Sequence, residues 1–243
     1  MLIYGYRKGI DNMKLTRTDK EAIKMGNAGY ILNKGAELYR NENFKEAIEY
    51  YRLASTMGSD IATSNLGYCY IYGRNVEANV DLAISYFELA ANRGNVDALY
   101  KLGDIYSSDK WKLKDNELSL YYYQLAANIL IGCDWSKEDA IAFTEELEEY
   151  PSLCYALARE LMPGGNLKTS LDQAYQFLLH AEQGFVHEIL NGATYYKKNL
   201  NKVTALLQDD IFDEIREDYD YLFDDDEEDL LYDAFEGDDS VFF

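Results

Sequence analysis

A self-repeat at a spacing of 36 residues constrains this chain more than any other feature. Leu53-Ala54-Ser55, Leu89-Ala90-Ala91 and Leu125-Ala126-Ala127 recur at that interval, preceded by AIEYYR, AISYFE and SLYYYQ. The upstream halves keep the same interval: Asn65-Leu66-Gly67 with Tyr70 corresponds to Lys101-Leu102-Gly103 with Tyr106. A fourth copy, QAYQFLLHAEQG from Gln173 to Gly184, places Leu179 another 54 residues on, so about 18 residues are inserted before it. A period of this length marks stacked supersecondary units, because one small unit has too little surface to bury its own apolar faces.

Each unit reads as two helices joined by a turn. Ala98, Leu99, Leu102, Ile105 and Tyr106 recur at three and four residues and line one face of a first helix. Leu82, Ala83, Ile84, Tyr86, Phe87, Leu89 and Ala90 give the second helix a broad apolar face, with Ala83 and Ala90 permitting close backbone approach. Gly58, Gly73 and Gly94 stand where helices end and a left-handed residue is favoured. Short turns make the paired helices antiparallel neighbours.

The runs NLGYCYIYG (Asn65 to Gly73) and VEANVDLAISYFELAANRG (Val76 to Gly94) resemble the Sel1-like repeat family, which belongs with the tetratricopeptide-type helical repeats. The first unit, NKGAELYRNENFKEAIEYYRLA, is closer to a tetratricopeptide repeat proper, with Ala36, Tyr39, Phe44, Ala47 and Tyr50 at packing positions. The third keeps ALYKLGDIY and YYYQLAAN but has SSDKWKLKDNE where the second has its glycine loop. The resemblance implies an all-α, right-handed α/α superhelical solenoid of Sel1-like and TPR-like hairpins, about five pairs with one insertion. The expected organisation is a repeat domain over 1–222, with repeats at 28–58, 61–94, 97–130 and 151–184, an incomplete pair over 185–222, and an insertion over 131–149. Ser136 is the expected N-cap in the insertion, which reads as an extra helix or an elongated loop displaced from the stack; Pro151 opens the fourth unit, and Gly184 closes it.

Charge divides the chain differently. Residues 209–243 hold 17 of the 44 acidic residues and a single base, Arg216, a net charge of −16 that leaves −5 for the rest. Residues 223–243 therefore read as a separate acidic tail with interspersed aromatics. Such a field repels phosphate backbones and favours basic partners, so no nucleic-acid partner is expected. No run approaches the roughly 18 apolar residues of a membrane span, and no secretory leader is evident, so the expected location is the cytoplasm.

Motifs that carry chemistry are missing from the pattern: no zinc spacing, phosphate loop, serine elbow or dinucleotide fingerprint is present, and no cofactor or metal is expected. Cys69, Cys133 and Cys154 read as small buried apolar residues. His180 and His187 fall inside repeat helices, where neighbouring Glu182 or Glu188 makes only a weak case for a base. The acids of Asp218 to Leu230 lack the sixth-position glycine of a calcium loop in any alignment. The 23 tyrosines are the more informative excess. Adjacent rings cannot all point inward, so part of Tyr50-Tyr51 and of Tyr121-Tyr122-Tyr123 is expected at a groove or flank, where a rigid ring suits protein contact.

The family resemblance implies a noncatalytic scaffold that presents first helices on a concave face to a protein or peptide. Tyr68, Tyr72, Lys101, Asp104 and Tyr155 are the expected contact residues, being on first helices yet not all required by the core. A second reading gives recognition or autoinhibition to the tail, with Phe242 and Phe243 as terminal anchors toward a basic protein. A third, hydrolase or transferase, rests on no motif. Homodimerisation stays open, because the sequence shows no symmetry.

Overall fold

The computed structural model of the protein describes residues 13–132, 134 and 145–219. Every regular element in it is helical. Contacts divide the chain into two units, Met1–Ser119 and Leu120–Phe243, each with its own packing.

The first unit begins with α1 (Arg17–Lys24), followed by the hairpins α2 (Ala28–Arg40) with α3 (Phe44–Thr56) and α4 (Asp60–Tyr72) with α5 (Val80–Ala91). A third first helix, α6 (Val96–Ser107), leads through a 3₁₀ turn at Asp109–Trp111 into α7 (Asn116–Ile131), within which the division between units falls. Polar caps set the starts. Asn27, Ser59, Asn79 and Asn95 each accept a hydrogen bond from the backbone N–H three residues on, satisfying a donor that the helix leaves unpaired. Gly58 and Gly94 follow α3 and α5 with φ of 97° and 85°, a conformation glycine adopts without a Cβ clash.

Paired helices meet where glycine faces an aromatic ring. A Cβ on Gly67 of α4 would stand 2.7 Å from Cε1 of Phe87 on α5, and one on Gly35 of α2 would stand 2.8 Å from Cδ1 of Tyr51 on α3. Phe87 is fully buried in that contact, which stabilises the fold by about 2–3 kcal/mol for the ring alone. Leu66, Cys69, Ala83 and Ala90 are likewise inaccessible, as the small residues at repeat positions require. Cys69 and Cys154 are free and buried, as expected of apolar packing residues, and burial pushes the Cys69 thiol up to about 11. Cys133 lies outside the described residues.

Turns between hairpins add a polar lock. Asn95 caps α6 and donates through Nδ2 to Asp60 Oδ2 at 2.9 Å. Arg93 reaches Thr63 Oγ1 at 2.9 Å and the Ser55 carbonyl at 3.3 Å, while the Ser55 and Thr63 hydroxyls pair at 2.7 Å. These bonds fix α4 and α6 at one register.

Tyr50 and Tyr51 differ from the expectation that one ring reaches a groove or flank: both are buried. Tyr51 covers Gly35, and α1 covers Tyr50. Asp19 of α1 is fully buried, forms a capping box with Thr16, and accepts from Tyr50 Oη at 2.9 Å and Tyr30 Oη at 3.3 Å. Desolvation is the strongest single influence and pushes the Asp19 carboxyl up. The hydrogen bonds from Thr16 and Tyr50, with the positive charge of Lys34, together outweigh it and leave the group below its ordinary value. The Tyr121 to Tyr123 triplet does divide: Tyr121 is exposed and Tyr123 buried.

In the second unit, α8 (Pro151–Leu161) pairs with the long α9 (Leu171–Leu190), and α10 (Lys197–Leu207) and α11 (Asp213–Tyr219) follow. Pro151 occupies the first turn of α8, as expected. Gly184 does not close its helix. It sits in mid-α9, where a Cβ would collide with the Glu148 carbonyl oxygen, so glycine serves close approach here instead of termination. The end of the inserted segment, a 3₁₀ turn at Glu145–Glu149, thus packs on α9 with Leu147 fully buried. The extra helix or elongated loop expected from Ser136 lies outside the described residues. α10 ends at Leu207 with Gln208 as its cap, and Arg216 folds back to donate to the Leu207 carbonyl at 2.9 Å and the Asp209 carbonyl at 3.1 Å, which satisfies acceptors left free at the helix end. Phe212 is buried against Tyr175, ring centroids 5.3 Å apart.

Gly67→Ala is expected to lower stability by about 1–2 kcal/mol in urea unfolding, since overpacking the Phe87 contact outweighs alanine's helix preference. Gly184→Ala is expected to cost more, because the clash is with backbone. Asp19→Asn should destabilise the protein at neutral pH. Because the native carboxyl titrates below its unfolded value, the wild-type advantage is present above pH of about 4 and lost as pH falls through the native value. Melting temperatures of both chains across that range check it.

Candidate functional site

Two first helices of the first unit, α4 and α6, bring a cluster of rings and lysines together. On α4, Tyr68 and Tyr72 stand one turn apart and their rings stack at 6.4 Å and 12°. Tyr68 is held from beneath by the edge of Phe87, at 5.1 Å and 81°, so the core ring that covers Gly67 also positions the surface ring. Tyr72 is 46% exposed. On α6, Lys101 places Nζ 5.8 Å from the centroid of each tyrosine ring and 3.4 Å from Asp104 Oδ2.

The 3₁₀ turn after α6 adds residues that sequence reasoning missed. Lys110 Nζ lies 5.5 Å from the Tyr72 centroid and 4.4 Å from that of Trp111. Two ammonium groups therefore address the same Tyr72 ring, one from each element. An ammonium over an aromatic face is attracted by the ring quadrupole, and the contact limits the wandering of a long side chain. Ser108 shapes the turn by accepting from the Lys110 N–H at 3.2 Å, and Lys112 ends it with φ of 58°. The signal in the sequence was the alternation KWKLK at Lys110 to Lys114, set in the loop that departs most from the repeat.

Four of the expected contact residues, Tyr68, Tyr72, Lys101 and Asp104, are thus brought together. Tyr155 stands in the second unit on α8, where Arg159 lies 5.8 Å from its ring centroid. Phe242 and Phe243 lie outside the described residues. His180 faces Glu148, with Nδ1 3.5 Å from Oε1, and Glu182 accepts from Thr204 at 2.6 Å. Among the described residues no three metal-ligating side chains converge, and no helix is long and apolar enough to cross a membrane.

The Sel1 repeat pattern matches residues 22–59, 61–95, 96–128 and 151–181, together more than half of the chain. The chain belongs to the Sel1 repeat family. Tyr68 and Tyr72 lie in the second Sel1 repeat, and Lys101, Asp104, Lys110 and Trp111 in the third. Two solved structures share the fold. A Sel1 repeat protein from Oxalobacter formigenes is 21% identical, with a TM-score of 0.51 over 76% of this chain and 66% of that one. The protein c5321, described as a protective antigen present in uropathogenic Escherichia coli strains displaying an SLR fold, is 19% identical, with a TM-score of 0.50 over 79% of this chain. The chain spans just under two thirds of the first and 39% of the second. No curated protein matches the sequence.

Lys110→Gln is expected to change stability by less than about 1 kcal/mol, as for an exposed cation over a ring. It should nonetheless alter Trp111 emission, read in a chain whose other tryptophan, Trp135, is replaced by phenylalanine. Unchanged emission contradicts the contact.

Proposed function

We propose that the chain is a noncatalytic scaffold that binds a protein or peptide on the face lined by the first helices of its Sel1 repeats. Repeats of this type generally serve protein–protein interaction. The observation that carries the reading is the Tyr68–Tyr72 pair with Lys101 and Lys110 set over its rings. Such side chains are held by neighbours before any ligand arrives. Less conformational freedom is then lost on binding, which is how rigid aromatic anchors come to dominate an interface. Asp104 belongs to the same face through Lys101, and Tyr155 with Arg159 offers a smaller copy of the arrangement in the second unit.

A photo-crosslinking amino acid introduced at Tyr72, in cells that make the protein, is expected to give a discrete adduct. The same group at Leu89, which is 43% exposed on second helix α5, is expected to give none. Adducts from Leu89 alone would contradict the first-helix reading.

A further inference from the structure

Resting on that reading, we propose that the segment received beside Tyr72 is acidic: a peptide carrying carboxylates together with an aromatic side chain. The chain as a whole is at −21, yet residues 101–114 hold four lysines and two aspartates. Both aspartates are engaged, Asp104 with Lys101 at 3.4 Å and Asp109 with Lys114 at 3.3 Å. Lys110 and Lys112 have no carboxylate within ion-pair distance among the described residues. Lys110 therefore brings an ammonium without a carboxylate partner onto the aromatic cluster of an otherwise acidic protein.

The geometry tells how those charges are presented. Lys110 rests between the faces of Tyr72 and Trp111, and Lys101 reaches the rings of Tyr68 and Tyr72. Lys110 is exposed, so its ammonium keeps N–H donors on the side that the two rings leave open, whereas Lys101 is already paired with Asp104. A carboxylate placed there gains charge-assisted hydrogen bonds from a lysine already held in position. The exposed half of Tyr72 beside them suits an aromatic ring on the same segment, stacked or edge-on. A basic segment meets like charge at Lys110, and a neutral one leaves that lysine unused. The long-range field of the chain opposes an acidic ligand, so recognition has to come from these short contacts, which makes it specific to this face.

The test is fluorescence anisotropy of three labelled peptides of alternating residues, Glu-Tyr, Gln-Tyr and Lys-Tyr, against the full chain. The Glu-Tyr peptide is expected to bind about tenfold more tightly than the Gln-Tyr peptide. The Lys101→Gln/Lys110→Gln variant should abolish that preference, so that the Glu-Tyr and Gln-Tyr peptides bind it alike. Lys101→Arg/Lys110→Arg keeps the charge and should keep the preference, which separates loss of charge from loss of fold. Absence of a Glu-Tyr preference, or a preference that survives the glutamine variant, overturns the proposal. If the Gln-Tyr or Lys-Tyr peptide binds as well and Tyr72→Ala weakens it, the acidic inference falls while the scaffold reading stands. If no peptide responds to Tyr72→Ala, both fall. Sedimentation of the same proteins gives the remaining arm: a self-association dissolved by the glutamine variant would make a second copy the occupant and overturn the acidic-peptide assignment.

Discussion

In the first unit the distance between paired helices depends on a ring lying where a glycine has no Cβ. Phe87 over Gly67 and Tyr51 over Gly35 repeat the contact in successive hairpins, and both rings are buried by it. A larger residue at either glycine would push the helices apart by moving a ring that has no room to move. The second unit uses the same economy of volume differently. Ala158 stands fully buried on α8 with Phe177 fully buried on α9, and Gly184 admits the Glu148 backbone against α9. Helix pairing in this protein is thus set by where the smallest residues fall, more than by the amount of apolar surface.

That packing reaches the surface through a short chain of contacts. The ring that covers Gly67 meets Tyr68 edge-on, Tyr68 stacks on Tyr72, and the two tyrosines receive Lys101. Lys101 belongs to the next repeat, so the cluster forms only if α4 and α6 keep a fixed register. Asn95 with Asp60, and Arg93 with Thr63 and the Ser55 carbonyl, supply that register. At the other end of the unit, Asp19 lets α1 cover Tyr50, which the first hairpin would otherwise leave at its flank. Core, turns and candidate site are in this sense one arrangement, and the surface rings inherit their order from it.

Much of this was legible in the sequence because Sel1 repeats encode local geometry. The Leu-Gly pair, the closing alanines and the glycines after α3 and α5 all act within a few residues or at a fixed interval, so self-comparison finds them. Tyr68, Tyr72, Lys101 and Asp104 were reachable by the same route, since Tyr68 and Asp104 are equivalent positions one period apart. What escaped depends on partners far along the chain. Tyr50 looks like a surplus ring until Asp19, outside the repeat, is seen to hold it. Gly184 looks like a helix end because it falls at a repeat's closing position, and only the returning insertion at Glu148 explains why it is mid-helix. Lys110 and Trp111 were visible only as a break in the pattern; the place of Lys110 at both Trp111 and Tyr72 comes from a turn whose direction the period does not set.

The most direct test of this account is a double-mutant cycle between Gly67 and Phe87, read by urea unfolding of Gly67→Ala, Phe87→Leu and the double variant. If the ring lies flat on the glycine, removing it makes room for the added methyl. The alanine penalty should then shrink by about 1 kcal/mol or more in the Phe87→Leu background, a coupling typical of residues in contact. Strict additivity of the two substitutions would show that the ring and the glycine do not set the helix spacing, and would contradict the account at its base.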